Sequence, residues 1–264
     1  MKQPRIGCVK YLNAWPLIRG WLGPVDFDHP SALCRKLSSG KLDLALVSSI
    51  EYLRRPDYRI VDGVSISADG PVFSVFVSYT GKLARVREIR ADPASETSTA
   101  LLRFLLAESG LKARIVEGGA PATPQTTSRG LAGARPSSAQ LLIGDQAIRF
   151  RQKHPAARVW DLAEEWKNLT DLPFVFALWL MRPDVANASE IADRLRALRD
   201  ENLRRINELI TSQNEFDSEF CVRYFRDNLR FNFGEREKAG LREFHRGALA
   251  SGIDVAPSFD LMLV

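Results

Sequence analysis

Hydrophobic and polar positions alternate along this chain in a pattern that predicts β-strands and α-helices in turn. Short runs of β-branched residues and leucines, such as LDLALV at 42–47, are typical of strands buried on both faces. Stretches with apolar residues three or four positions apart follow these runs and predict amphipathic helices. The predicted strands are 5–9, 42–47, 60–66, 72–79, 89–91, 113–116, 141–143, 159–162 and 174–181.

The predicted helices separate these strands, as expected for an α/β fold. Ser31 is the expected N-cap of the second helix, and Gly40 its expected end. The predicted helices are 16–21, 30–39, 50–54, 99–108 and 145–153, followed by the final 75 residues.

The elements fall into two α/β units, which predicts two lobes joined by two crossing segments. The chain leaves the first unit near Tyr79 and returns to it near residue 178. We therefore predict a discontinuous first lobe of residues 1–80 and 178–264, which includes the C-terminal helices, and a second lobe of residues 81–177. Residues 117–138 are rich in Gly, Pro, Ala, Ser and Thr and are predicted to form a loop.

Composition indicates a cytoplasmic protein. Of the 264 residues 45% are hydrophobic, yet the longest apolar run, 173–181, is too short for a membrane span, and we expect no membrane partner. The N-terminus lacks the pattern of a secretory signal. Cys8, Cys34 and Cys221 are odd in number and share no metal-ligand spacing, so we expect reduced thiols and no metal.

The charge pattern argues against a nucleic-acid partner. The net charge of +5 (37 basic minus 32 acidic residues) suits an anionic ligand, but acidic residues alternate with the basic ones in the C-terminal helices. No glycine-rich dinucleotide or phosphate loop is present, and no His accompanies a Ser or Cys at a nucleophile elbow. Hydride transfer, phosphoryl transfer and triad hydrolysis are therefore poor candidates.

Polar residues follow two predicted strands of the first unit. Asn13 comes after the first strand, and Ser48 and Ser49 come directly after 42–47. Ligands of open α/β sheets bind outside the carboxyl ends of the strands, where an amide or a hydroxyl can hold a carboxylate. A turn-forming Asn and a simple helix N-cap explain the same residues, so both interpretations stay open.

The second unit offers similar candidates. Thr97 and Ser98 lie in the polar turn before a predicted helix, so that two helix N-termini could hold a dicarboxylate from both ends. Asp145 follows the strand LLIG and either orients a ligand hydroxyl or caps the next helix. Gly70 lies in a turn between two strands and brings the backbone close to its surroundings.

Six blocks taken together carry a resemblance to a known family. In chain order they are RIGCVKYLNAWPL, GKLDLALVSSIEYLR, VSISADGPVFSV, SETSTALLRFLL, LLIGDQAI and WDLAEEWKNLTDLPFVFALW. They resemble the chorismate dehydratases of the futalosine route to menaquinone. The resemblance implies a two-lobed, type II periplasmic-binding-protein-like (Venus flytrap) α/β fold with a helical C-terminal segment, used as an enzyme.

The implied reaction converts chorismate to 3-[(1-carboxyvinyl)oxy]benzoate and water, with no cofactor. Asn13, at the family's Tyr-Leu-Asn position, would be the catalytic residue, and the carboxylate of the substrate would act as the base. The substrate-binding candidates are Tyr11, Ser48, Ser49, Gly70, Ser74, Thr97, Ser98 and Asp145.

Two alternatives remain open from the sequence. The sister enzyme 1,4-dihydroxy-6-naphthoate synthase shares the implied fold but relies on a histidine base, and none of the three histidines here follows a matching strand. A solute-binding or sensor module for a small carboxylate would bind without turnover. The sequence does not specify an oligomeric state.

Overall fold

The fold is described from a computed structural model, in which residues 3–92, 96–118, 139–211 and 215–264 are described. The predicted loop at 117–138 therefore lies almost wholly outside the described residues. Within the described ranges ten strands form two mixed five-stranded sheets flanked by helices, which confirms the predicted α/β class.

The first sheet brings the N-terminal strands together with one strand from the middle of the chain. Strands β1 and β3 are parallel, so their carboxyl ends lie at the same edge, and β10 runs antiparallel between β3 and β4. Its strands, in spatial order, are β2 (Val25–Phe27), β1 (Ile6–Cys8), β3 (Leu44–Ser48), β10 (Phe174–Met181) and β4 (Arg59–Ala68).

The second sheet has the same mixed character. Strands β6 and β8 are parallel, whereas β5 pairs antiparallel with β8 and with β9. Its strands, in spatial order, are β7 (Arg114–Glu117), β6 (Glu88–Ala91), β8 (Ala139–Ile143), β5 (Val75–Tyr79) and β9 (Arg158–Asp161).

Helices cover both sheets. Short 3₁₀ turns occur at Leu12–Ala14 and Leu83–Arg85, and a π-helix spans Tyr224–Asn228. The α-helices are α1 (Trp15–Ile18), α2 (Pro30–Ser38), α3 (Ser49–Arg54), α4 (Glu96–Glu108), α5 (Gly144–Lys153), α6 (Leu162–Thr170), α7 (Ala188–Arg204), α8 (Ile206–Thr211), α9 (Ser218–Arg223) and α10 (Glu235–Ala250).

The chain passes from one sheet to the other at positions that differ from residues 80 and 178, the predicted lobe boundaries. Strand β5 pairs only within the second sheet, and β10 already pairs with β4 from Phe174. The crossings therefore lie between β4 and β5 and between β9 and β10. Strand β10 is apolar throughout and β5 is apolar except at Ser78, so the hydrophobic pattern alone does not reveal the sheet to which each belongs.

Two helix starts also differ from the prediction. Helix α2 begins at Pro30 with His29 in the N-cap position, because proline is preorganised for the first helical residue, so Ser31 is not the cap. Helix α4 begins at Glu96, which places Thr97 and Ser98 inside its first turn.

Helix α10 packs against β10 of the first sheet and against helix α4. Its Gly240 lies against the backbone of Pro173, immediately before β10, and its Gly247 lies against the ring of Phe104 in α4. A Cβ atom on Gly247 would lie 2.6 Å from Phe104 Cδ2. The two glycines therefore allow one helix to contact the segment entering the first sheet and a helix of the second unit.

The last residues are extended and not helical, contrary to the prediction for the final 75. The Ile60 N–H donates to the carbonyl of Met262 (2.7 Å), and the Val264 N–H donates to that of Ile60 (2.9 Å). The Tyr52 hydroxyl donates to the Asp260 carbonyl (2.6 Å) and accepts from the Met262 N–H (2.9 Å). This C-terminal segment thereby continues the first sheet beyond β4.

Cys8, Cys34 and Cys221 are all buried, and no disulfide joins them. Burial raises the pKa of the Cys221 thiol to about 11. Within the described ranges, none of the helices combines the length and the apolar character needed to cross a membrane.

Replacing Gly240 with alanine tests the close packing of α10. Alanine favours helix by about 1 kcal/mol, but its Cβ would overlap the Pro173 carbonyl, and overpacking typically costs about 1–3 kcal/mol. We expect Gly240→Ala to lower the free energy of unfolding in urea denaturation. Arg242→Ala, on the exposed face of the same helix, should change it by no more than about 0.5 kcal/mol. A Gly240→Ala protein as stable as the parent would contradict the packing.

Candidate functional site

A cleft lies between the strand ends of the two sheets. Residues after β1 and at the end of β3 line it from the first sheet, and residues at the end of β8 and before β5 line it from the second. The lining residues are Val9, Tyr11, Asn13, Pro30, Leu46, Val47, Ser48, Ile66, Val72, Ser74, Val75, Thr97, Ser98, Ile143, Gly144, Phe176, Ala177 and Leu229.

Asn13 lies in the 3₁₀ turn that follows β1 and lines the cleft. Its Oδ1 atom is buried and has no hydrogen-bond partner among the described residues. Buried polar atoms in native proteins are nearly always paired, and an unpaired one requires an explanation. An amide group aimed into a cleft is suited to a bound ligand, because it can both donate and accept a hydrogen bond.

Ser48, the last residue of β3, and Ser49, the first residue of α3, have different surroundings. Ser48 is the N-cap residue of α3 and lines the cleft. Ser49 is fully buried away from the cleft, and its hydroxyl donates to the Val175 carbonyl on β10 at 2.7 Å. Ser48 can therefore contact a ligand, whereas Ser49 ties the start of α3 to the neighbouring strand.

The N-terminus of α4 meets that of α3 at the cleft. Thr97 and Ser98 are buried and line the cavity, and Thr97 Oγ1 accepts a hydrogen bond from the Ile50 N–H at 3.3 Å. Arg54 forms an ion pair with Glu96 beside this contact. The structure thus brings together the two helix starts that the sequence suggested.

Tyr11 and Gly144 lie close together at the cleft. A Cβ atom on Gly144 would lie 3.2 Å from the Tyr11 ring, and Gly144 has a φ of 57°. Both facts favour glycine at the end of β8. Burial raises the pKa of Tyr11, and the nearby Asp92 and Asp145 raise it further, so its hydroxyl remains protonated at neutral pH.

Asp145 and Gly70 lie outside the cleft lining. The Asp145 carboxylate accepts a hydrogen bond from the Leu12 N–H at 3.0 Å, so α5 caps the 3₁₀ turn that carries Asn13. Gly70 is buried, with a φ of 134° in the turn after β4. The geometry gives Asp145 a structural contact and shows no exposure of Gly70 to the cavity.

The described residues that line the cleft carry no carboxylate, imidazole, ammonium or guanidinium group. Its polar groups are the Tyr11, Ser48, Ser74, Thr97 and Ser98 hydroxyls and the Asn13 amide. Such a site offers neutral hydrogen-bond donors to an anion and no evident general base. In the part of the chain that the structure describes, no three His, Cys, Asp or Glu residues group as metal ligands.

Tyr224 lies near the site and was not among the candidates from the sequence. It is fully buried in the π-helix, and its hydroxyl lies 2.7 Å from Ser74 Oγ at the cleft. Phe176 and Leu229 also line the cavity without a sequence signal. Their places depend on contacts between segments far apart in the chain, which local patterns do not encode.

Comparison with known proteins gives the family. The family model for menaquinone biosynthesis matches residues 4–249. The chain belongs to the menaquinone biosynthesis family. It is 29% identical to a chorismate dehydratase of Thermus thermophilus, over 96% of this chain and 97% of the relative. It is 26% identical to a chorismate dehydratase of Campylobacter jejuni, over 91% of each chain.

The structural comparison gives the fold of this menaquinone biosynthesis family member. A Candida albicans protein that exhibits the generic periplasmic binding protein fold superposes with a TM-score of 0.64, at 11% identity, over 99% of this chain and 94% of that chain. The expected periplasmic-binding-protein-like architecture is therefore confirmed.

The Asp145 cap should make stability depend on pH. Burial raises the pKa of Asp145, while the Leu12 N–H and Arg149 oppose the shift. The folded protein therefore holds this proton more tightly than the unfolded chain. Stability contributed by Asp145 falls as pH rises from about 4, the unfolded value, through the folded pKa.

Asp145→Asn keeps an oxygen for the Leu12 N–H and removes this titration. We expect the urea midpoint of Asp145→Asn, relative to the parent, to rise between pH 4 and pH 7. Asp184→Asn is the control, because the hydrogen bond from Arg182 lowers the pKa of Asp184, and its relative midpoint should fall over the same interval. The opposite trend for Asp145→Asn would contradict the assigned burial effect.

Proposed function

We propose that this protein is a chorismate dehydratase, a hydro-lyase that forms 3-[(1-carboxyvinyl)oxy]benzoate and water in menaquinone biosynthesis. Both curated relatives named above are chorismate dehydratases, and each is matched over at least nine-tenths of its length. The observation in the structure that carries the proposal is the cleft lined by uncharged hydrogen-bonding groups around Asn13, whose Oδ1 atom has no hydrogen-bond partner among the described residues.

This cleft suits chorismate because the substrate brings two carboxylates. Hydrogen bonds between neutral donors and a carboxylate are charge-assisted and stronger than those between neutral groups. Ser48 at the start of α3 supplies one hydroxyl, and Thr97 and Ser98 at the start of α4 supply two others. We propose that the two helix starts bind the two carboxylates, with Tyr11 contributing a protonated hydroxyl.

We propose a substrate-assisted elimination. The enolpyruvyl carboxylate removes the proton from C3, the C3–H electron pair forms the C3–C4 double bond, and the C4–O bond breaks. The departing hydroxide takes up the proton and leaves as water, so the carboxylate is regenerated. The ring becomes aromatic, and this gain drives the reaction without a strong protein base.

In this mechanism Asn13 holds the reacting groups in place. Its amide can orient the enolpyruvyl carboxylate or hydrogen-bond the departing hydroxyl, and it does not compete for the proton because it does not titrate. A catalyst that supplies no base depends on near-attack positioning, which can contribute several kcal/mol. We assign no cofactor to these steps.

We further propose a cytoplasmic location and a division into two lobes that correspond to the two sheets. The location follows from the sequence and from the biosynthetic role. The lobes would be joined by the two crossings, before β5 and before β10, and the cleft would lie between them.

Turnover of chorismate by the purified protein tests the activity. We expect aromatic product in the ultraviolet spectrum and a product mass lower than that of chorismate by one water. Chorismate binding measured by calorimetry without product would instead indicate a binding module, and no binding would reject both functions.

Substitution of Asn13 tests its role. Asn13→Ala removes the amide and Asn13→Asp places a negative charge beside a carboxylate, so both should lower kcat by about a hundredfold or more, as for loss of a transition-state donor. Thermal melting of each variant controls for folding. An Asn13→Ala enzyme with kcat/KM close to that of the parent would exclude the proposed role.

Ser48 and Ser49 form a matched pair of adjacent variants. Ser48→Ala should lower kcat/KM by about tenfold with little loss of stability, since a hydrogen bond to a charged group contributes about 1.5–3 kcal/mol. Ser49→Ala should lower the free energy of unfolding by about 1 kcal/mol, through loss of the bond to Val175, and retain kcat/KM at low temperature. Kinetics and urea denaturation of both variants decide the assignment, and the reverse pattern would overturn it.

A further inference from the structure

We propose that Tyr224 is a positioning residue. It holds the Ser74 hydroxyl so that the Ser74 O–H group points into the cleft and donates a hydrogen bond there. The use of that proton in catalysis rests on the proposed function, but the geometry of the pair does not. Tyr224 itself lies behind the cleft lining, and Ser74 Oγ separates it from the cavity.

The direction of the Tyr224–Ser74 hydrogen bond follows from the surroundings of the tyrosine. Tyr224 is completely buried among aromatic rings, stacked on Phe220 and tilted against Phe225. Ser74 Oγ is the hydrogen-bond partner found for its hydroxyl among the described residues. If Ser74 donated instead, the phenolic proton would be buried without an acceptor, which is strongly disfavoured.

The phenol is also the stronger donor of the two hydroxyls. Burial raises the pKa of Tyr224 above its ordinary value, and this outweighs the opposing hydrogen bond with Ser74. Tyr224 therefore stays protonated over the working pH range. By donating to Ser74 Oγ it polarises the serine, and polarised hydroxyls in a chain are better donors.

The backbone of Ser74 is fixed independently on both sides. The Asp161 carboxylate accepts hydrogen bonds from the Val72 N–H (3.2 Å) and the Phe73 N–H (2.9 Å). Phe73 is held at a φ of 66°, a conformation that residues other than glycine rarely adopt. On the other side the Gly144 N–H donates to the Ser74 carbonyl at 2.8 Å.

With its backbone fixed in this way, Ser74 retains one important freedom, the rotation of its side chain and hydroxyl. Tyr224 removes that freedom. The Ser74 O–H group therefore has one direction, at the start of β5. The other polar groups among the described residues that line the cleft are also neutral. A bound carboxylate or a departing hydroxyl is the acceptor that such a donor fits.

A double-mutant cycle on chorismate turnover tests the coupling. We expect Tyr224→Phe to lower kcat by about tenfold, the equivalent of about 1.4 kcal/mol, with a change in KM smaller than threefold. Ser74→Ala should lower kcat at least as much. Adding Tyr224→Phe to Ser74→Ala should then change kcat by less than twofold, because the tyrosine acts only through the serine.

Tyr52→Phe is the matched control. It likewise removes a buried tyrosine hydroxyl. The partners of this hydroxyl, Asp260 and Met262, lie in the C-terminal segment and not at the cleft. It should lower the melting temperature and leave kcat unchanged. A Tyr224→Phe effect below twofold, or an equal loss of kcat in the parent and in the Ser74→Ala background, would overturn the proposal.

A structural measurement separates this inference from the proposed function. Should the parent fail to turn over chorismate, crystal structures of the parent and Tyr224→Phe decide it. Ser74 is expected in one rotamer in the parent and in several in the variant, and one unchanged rotamer would refute the positioning role.

If Tyr224→Phe does not fold, the hydroxyl proton of Tyr224 in ¹³C-tyrosine-labelled protein gives the answer. It should exchange slowly in the parent and be lost or shifted in Ser74→Ala. An unchanged signal in Ser74→Ala would show that the tyrosine does not donate to this serine.

Discussion

The buried carboxylate of Asp161 is the interaction on which the arrangement around the cleft depends. Its oxygens accept hydrogen bonds from four backbone N–H groups, two in the crossing segment at Val72 and Phe73 and two at the start of α6 at Ala163 and Glu164. Burial raises the pKa of Asp161 although these bonds and Arg151 oppose the shift. The side chain thereby caps α6 and fixes the path by which the chain enters β5.

Several features of the site follow from this constraint. The fixed crossing segment holds Phe73 in its left-handed conformation, and the guanidinium of Arg151 lies 4.0 Å from the centre of the Phe73 ring. Ser74 is then presented at the cavity wall, within reach of Tyr224 from the C-terminal region. Residues from three distant parts of the chain thus determine the direction of one hydroxyl group.

The sequence predicted the class of fold and part of the site because parallel strands place their carboxyl ends at one edge. Asn13 and Ser48 were located by that rule, and both line the cleft. The rule does not resolve neighbouring side chains, so it grouped Ser49 with Ser48 although the two face different environments. It also could not show that the Asp145 carboxylate reaches a turn 133 positions away in sequence.

The assignment of strands to sheets exposed another limit of sequence patterns. Strands β5 and β10 are both mainly apolar runs, and their sheet membership is set by the partners that they meet after the chain has crossed over. Tyr224 presents the same difficulty, because an aromatic residue at helical spacing is usually a core residue. The role of its hydroxyl becomes visible only from the hydrogen bond with Ser74.

The packing of α10 has a consequence for how a ligand enters. This helix contacts the segment that leads into the first sheet through Gly240 and the α4 helix of the second unit through Gly247. A wide hinge opening, of the kind that lets solute-binding proteins exchange ligands with a transporter, would separate α10 from one of these neighbours and expose aromatic surface. Helix α10 thereby joins these two neighbours, and ligand exchange that preserves both contacts requires only local displacements at the entrance of the cleft.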